Sequence, residues 1–205
     1  MIESALTRHC FREPVSELYD AARYLDAAVS AHLSGQHLLS QELIRLANNP
    51  RILAWTDSIW RKNSPYVKVS KSVVSTKSLP KEPERMPTSS QKCELHNRDG
   101  YDCRFCNLPI IRPEVRRKIS SAYPNALPWG KTNHSQHAAF QAMWAQYDHI
   151  VPHSRGGTNN LDNLVVTRAA CNFGRMSYTL EEVGLSDPRL RAPAQSLWDG
   201  LERFK

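Results

Sequence analysis

Apolar residues recur at spacings of three and four in three early stretches: Leu18, Ala22, Leu25, Val29 and Leu33; Leu39, Leu43, Leu46 and Ala47; and Ile52, Trp55 and Ile59. That period places each set on one face of a helix. It predicts a first helix from Pro14 to Leu33, stopped by Gly35, and a second ended by Asn48-Asn49-Pro50. The third starts with Pro50 at a favoured first-turn position. Trp55 and Trp60 read as core packing rather than base-stacking platforms, since large aromatics dominate small cores. Residues 1–60 are thus expected to form a small all-α module.

The periodicity then disappears. From Arg61 to Gln91 the chain turns to Lys, Ser, Val and four prolines (Pro65, Pro80, Pro83 and Pro87), which reads as a basic linker over residues 61–91. Val67, Val69, Val73 and Val74 alternate enough to leave a short strand open. A flexible tether of about 30 residues reaches roughly 30 Å, enough to lie along a duplex groove.

Patterned segments resume at Lys92. A helix is predicted to Asp99, then a turn at Asp99-Gly100 and a hairpin tip bearing Cys103-Arg104-Phe105-Cys106. Helices are predicted from Pro113 to Ala122 and from His134 to Ala145, separated by the breakers of residues 123–130 and making residues 107–146 a helical insertion. Arg116 and Arg117 read as a solvated face of the first, and His134 and His137 as structural. Tyr147 to Val151 is a short strand stopped by Pro152, Gly156-Gly157 opens a loop, and Leu164-Val165-Val166 is a second strand. Thr167 is placed to cap a helix from about Arg168 to Gly174. Thr179-Leu180-Glu181-Glu182 is a capping box, and Leu197, Trp198 and Leu201 suggest a terminal helix over Pro193 to Phe204.

Charge sharpens this picture. The 205 residues carry a formal net charge of +7, and Arg61 to Lys92 alone holds eight Lys or Arg against Glu82 and Glu84. A balance of that kind favours anionic partners. No apolar run approaches the roughly 20 residues that span a bilayer, and the first ten residues lack a signal peptide's apolar centre. Five cysteines, an odd number with one Cys-x-x-Cys, argue for a reducing compartment and a metal site over a disulfide framework. A cytoplasmic protein is the expectation.

The polar residues of the strand–loop–strand–helix unit carry the chemistry. Asp148 and His149 are adjacent on the first strand, Asn163 ends the loop, and Asn172 follows Cys171 on the helix. This ordered set resembles the HNH (His-Me finger) endonuclease motif, which reads Asp-His, Gly-Gly, Asn-Leu and Cys-Asn, with Cys-x-x-Cys upstream. The resemblance covers about Leu95 to Arg175 and implies an α+β fold: a ββα-metal nuclease core with surrounding helices over residues 92–205, preceded by the helical module. It further implies that His149 is the general base, Asn163 orients its imidazole, and Asp148 and Asn172 hold Mg²⁺ or Mn²⁺. His153 is a weaker candidate in the same loop, and Arg155, Arg175, Lys68 and Lys71 are candidates for nucleic-acid contacts.

Cys103, Cys106 and Cys171 resemble three corners of a structural zinc site. Arg168 stands where the family pattern has the fourth cysteine, leaving Cys93, His96 or water for that role, or an empty site in a fold held by packing. The activity implied is metal-dependent hydrolysis of DNA, with RNA left open. Its rivals are a non-catalytic nucleic-acid-binding module on the same scaffold and an effector nuclease, for instance in phage defence. The effector would couple to a protein partner or a second copy through the N-terminal helices.

Overall fold

The computed structural model describes residues 8–61, 63–70 and 85–205; Lys71, the Val73-Val74 pair and the rest of residues 71–84 of the predicted linker lie outside them. Three helices open the described chain: α1 (Ser16–Leu33), α2 (His37–Leu46) and α3 (Pro50–Trp60). Asn49 caps α3 by accepting from the Arg51 backbone N–H, and Pro50 occupies its first turn. The faces of α1 and α3 are those the periodicity predicts, with Leu18, Ala22, Leu25, Val29, Ile52, Trp55 and Ile59 all buried, except that Leu33 at the end of α1 is exposed.

In α2 the predicted face is displaced. Ser40, Ile44 and Ala47 are buried, while Leu39 and Leu46 are exposed. Small Ser40 and Ala47 let α2 lie close against α1, and leucine's bulk at those positions would hold the pair apart. The helix turns Ser40 and Ile44 inward along with the predicted Ala47, so counting leucines picks the wrong side.

A capping box between Thr88 and Gln91 starts α4 (Ser89–Asp99) three residues earlier than predicted. The Cys-x-x-Cys hairpin follows, closed by Cys103 N–H donating to the Leu108 carbonyl at 2.8 Å. The bounds of α5 (Pro113–Ala122) are those predicted. The next predicted helix, His134 to Ala145, is cut short: a 3₁₀ turn at Asn133–Ser135 precedes a brief α6 (Ala138–Ala142). Ala145 already belongs to β1 (Ala145–His149).

β1 pairs antiparallel with β2 (Leu164–Arg168), Asp148 opposite Val165 and His149 opposite Leu164. Thr167 is therefore the fourth residue of a buried strand and not a helix cap; its hydroxyl lies 3.3 Å from Cys103 Sγ. α7 (Ala169–Arg175) leaves β2 directly, and α8 (Leu180–Val183) opens on the predicted capping box of Thr179 and Glu182. The architecture is α+β, a two-stranded antiparallel sheet and α7 among helices. α3 lies against α6 and α7, and one continuous buried cluster runs from Leu18 and Trp55 to Phe105 and Val166. No helix among the described residues is long and apolar enough to cross a membrane.

The predicted C-terminal helix does not form. Gly200 and Leu201 both adopt left-handed backbone, at φ +66° and +63°, which no right-handed helix contains. A Cβ at Gly200 would sit 2.2 Å from the Tyr101 ring. The segment instead anchors by Leu201, Phe204 and the Trp198 indole N–H, which donates to the Ile110 carbonyl at 2.9 Å, and leaves Leu197 fully exposed.

His137, at the head of α6, is fully buried and donates from Nε2 to the Ile44 carbonyl of α2 at 2.8 Å, while Nδ1 has no partner. Burial pushes its pKa down to about 4. The unfolded chain therefore takes up the proton first as pH falls. The ring's contribution is complete above the ordinary value of about 6.5 and is lost as pH drops toward 4, by about 3 kcal/mol in full. Urea denaturation between pH 7 and 4.5 should show this loss, and His137→Gln, which keeps a donor for Ile44, should flatten it.

Candidate active site

The site is built on the end of β1, the loop of residues 150–163 and the start of α7. Pairing continues past the strand, with Ile150 N–H donating to the Asn163 carbonyl at 2.8 Å. The Asn163 side chain then braces the loop: its oxygen accepts from Val151 N–H at 2.8 Å, and its amide donates to the carbonyls of Val151 and Thr158. Gly157 packs so tightly here that a Cβ would lie 1.8 Å from the Val151 carbonyl oxygen, which explains the second glycine of the pair. Gly156 supplies a left-handed turn, φ +84°.

His149 is held by a different asparagine from the one expected. Its Nε2 lies 2.8 Å from Asn159 Oδ1, whereas the bonds of the Asn163 carboxamide run to the loop backbone. An amide oxygen only accepts, so Nε2 carries the proton and Nδ1 of a neutral ring is the nitrogen with a lone pair. Burial lowers the His149 pKa, outweighing the Asn159 hydrogen bond and the charge of Asp148, which raise it. The ring is therefore neutral at pH 7 and able to accept a proton. His153 stands next to it, ring centroids 5.7 Å apart and edge to face. Asn172 is partly exposed on α7.

Asp148 is buried, and both of its oxygens accept from Arg175, one from Nε at 2.8 Å and the other from Nη2. The same guanidinium donates to the carbonyls of His149, Ile150 and Tyr178. Burial raises the Asp148 pKa against the opposing pull of Arg175. The fork ties β1 to the end of α7, and it corrects one expectation. Arg175 is only 1% exposed, with its donors spent inside the fold, so it is not a surface contact for a nucleic acid. Arg155 is diverted likewise, to Glu182 at 2.9 Å and the Ser177 carbonyl. Lys68 is exposed.

Asp148 and Asn172 offer oxygen donors of the type that suits a hard divalent cation. A carboxylate has about four lone-pair sites and the fork occupies one on each oxygen, so the donor chemistry fits although Asp148 is already engaged. Among the described residues, the group of Cys, His or acidic side chains close enough to share an ion is Cys103, Cys106 and Cys171, whose sulfurs lie within 4.8 Å of one another. Burial opposes ionisation of Cys103, but hydrogen bonds from Cys106 and Cys171 and the charge of Arg168 hold it well below the ordinary thiol range. Neither proposed fourth ligand joins them. His96 bonds the Gly100 carbonyl and the Tyr147 hydroxyl, and Cys93 is exposed.

Sequence reasoning missed Asn159 and the Arg175 fork. Of the asparagines at 159, 160 and 163, only the loop's folded path decides which faces His149. Removing one partner of a buried ion pair costs about 3–5 kcal/mol. Arg175→Ala should therefore lower the unfolding free energy by that amount in urea, and Arg175→Lys, with no fork, should recover only part of it.

No curated protein and no solved structure matches the chain. A family model described as HNH endonuclease matches residues 133–174. The matched stretch contains the strand–loop–strand–helix unit with Asp148, His149, Asn163 and Asn172, so over those residues the chain is similar to HNH endonucleases.

Proposed function

We propose that this chain is a metal-dependent endonuclease that hydrolyses phosphodiester bonds in DNA, with His149 as the base that activates water. An HNH domain points to nuclease activity in general. The observation that supports the finer reading is the His149–Asn159 contact, which fixes the imidazole as the Nε2–H tautomer. Nδ1 then takes the proton from water as the oxygen attacks phosphorus, and the neighbouring His153 disfavours a positive charge on the ring beforehand. Asn159 acts as a positioning residue. The Asp148–Arg175 fork keeps the end of β1, where His149 lies, against α7, which carries Asn172. A divalent cation held by Asp148 and Asn172 would offset negative charge on the phosphate oxygens. Exposed Lys68 is a candidate for phosphate contacts that position without reading sequence.

One observation favours a second reading. Both Asp148 oxygens are engaged by a buried cation, the arrangement of a scaffold that binds nucleic acid without cutting it.

Supercoiled plasmid incubated with Mg²⁺ or Mn²⁺ separates the two. Nicking by the wild type that falls about 10²–10⁴-fold in His149→Ala supports the endonuclease. Salt-sensitive binding with no nicking in either cation supports the scaffold. In the active case Asn159→Ala should lower kcat and move the acidic limb of the pH profile further down, because the lost hydrogen bond is one that raises the His149 pKa.

A further inference from the structure

Arg168 has the most unusual surroundings of any charged residue outside the proposed catalytic site. It is 0% exposed, at the junction of β2 and α7, three residues before Cys171. A paired Cys-x-x-Cys would put its first sulfur at this position. Here the guanidinium enters the sulfur cluster: Nε donates to Cys106 Sγ at 2.9 Å, and Cζ lies 4.2 Å over the Trp55 ring of α3. Nη1 and Nη2 have no hydrogen-bond partner.

Electrostatics then constrains what the cluster can be. A guanidinium does not shed its proton in a protein, and burying one without a counter-charge costs several kcal/mol. Among the described residues no carboxylate is ion-paired with Arg168; the thiols of Cys103, Cys106 and Cys171 lie against it, and Cys10 and Tyr19 also feel its charge. A thiolate in that group supplies the missing charge. Structural zinc needs four donors in a closed tetrahedron. The chain brings three sulfurs together, and its fourth corner is a group with no lone pair, backed by an indole face that attracts cations.

We propose that Arg168 replaces the ion, so that Cys103, Cys106 and Cys171 form a metal-free thiolate–guanidinium centre in place of a zinc knuckle. A side chain bonded covalently to α7 does what a bound metal does elsewhere. It gathers the hairpin of residues 101–109 onto the sheet–helix junction, and through Trp55 it also fastens α3 to that junction. Its strength owes nothing to zinc supply.

The test uses the full chain, purified under reducing conditions from zinc-supplemented cells, with metal content and cobalt(II) titration as readouts. The wild type should carry far less than one zinc per chain, show no cobalt–thiolate absorption and keep its Tm in EDTA. Arg168→Cys completes the tetrahedron and should take up one zinc per chain with tetrahedral cobalt–thiolate bands. Arg168→Met should lower Tm, with no recovery on adding zinc. One tightly held zinc per wild-type chain would overturn the proposal, whether or not the variants fold. A zinc-free Arg168→Cys that folds would overturn the assignment of position 168 as the fourth corner.

Discussion

The buried ion pair between Arg175 and Asp148 fixes the geometry on which the rest of the site depends. β1 is five residues long and pairs with a single partner, too little for an isolated hairpin to be stable in water. A fork that spends one guanidinium on a strand carboxylate and on the carbonyls of His149, Ile150 and Tyr178 adds the missing constraint. It locks the strand end to the helix end at the point where His149 emerges. The cost is a charged pair taken out of water, which the mutual attraction of the pair and the further hydrogen bonds of the guanidinium must offset.

Arginine carries a second constraint in the same unit. Arg168 and Arg175 sit at opposite ends of α7, both buried, one facing sulfur and the other carboxylate. The helix is only seven residues long, and Gly174 between them lets it approach Phe11 and Ile59 to within the distance of a missing side chain. α7 is thus held by two fixed cations and a close backbone contact. The helices of residues 16–60 take part through Trp55 and Ile59, so the HNH unit and the N-terminal helices share their packing.

Much of this was legible in the sequence where one physical effect dominates. Apolar period located α1 and α3, helix start and stop signals bounded α5, and β-branched runs with turn and capping residues located the sheet, the loop and α8. The failures have specific causes. In α2 the packed face carries Ser40 and Ile44, which the spacing of the leucines beside them does not reveal. At the C-terminus, Gly200 and Leu201 take left-handed backbone that an apolar spacing cannot reveal. Arg175 looks like a surface cation until the fold buries it against Asp148, while Arg155 stays partly exposed beside Glu182. The motif names the residues that meet, whereas the contact between His149 and Asn159 depends on a loop path set by Gly157 and Asn163.

The central claim concerns one proton. If Asn159 holds His149 as described, ¹⁵N NMR of the imidazole at pH 7 will show a neutral ring protonated at Nε2, with a bare Nδ1. A ring protonated at Nδ1, or an imidazolium at that pH, would contradict the account directly.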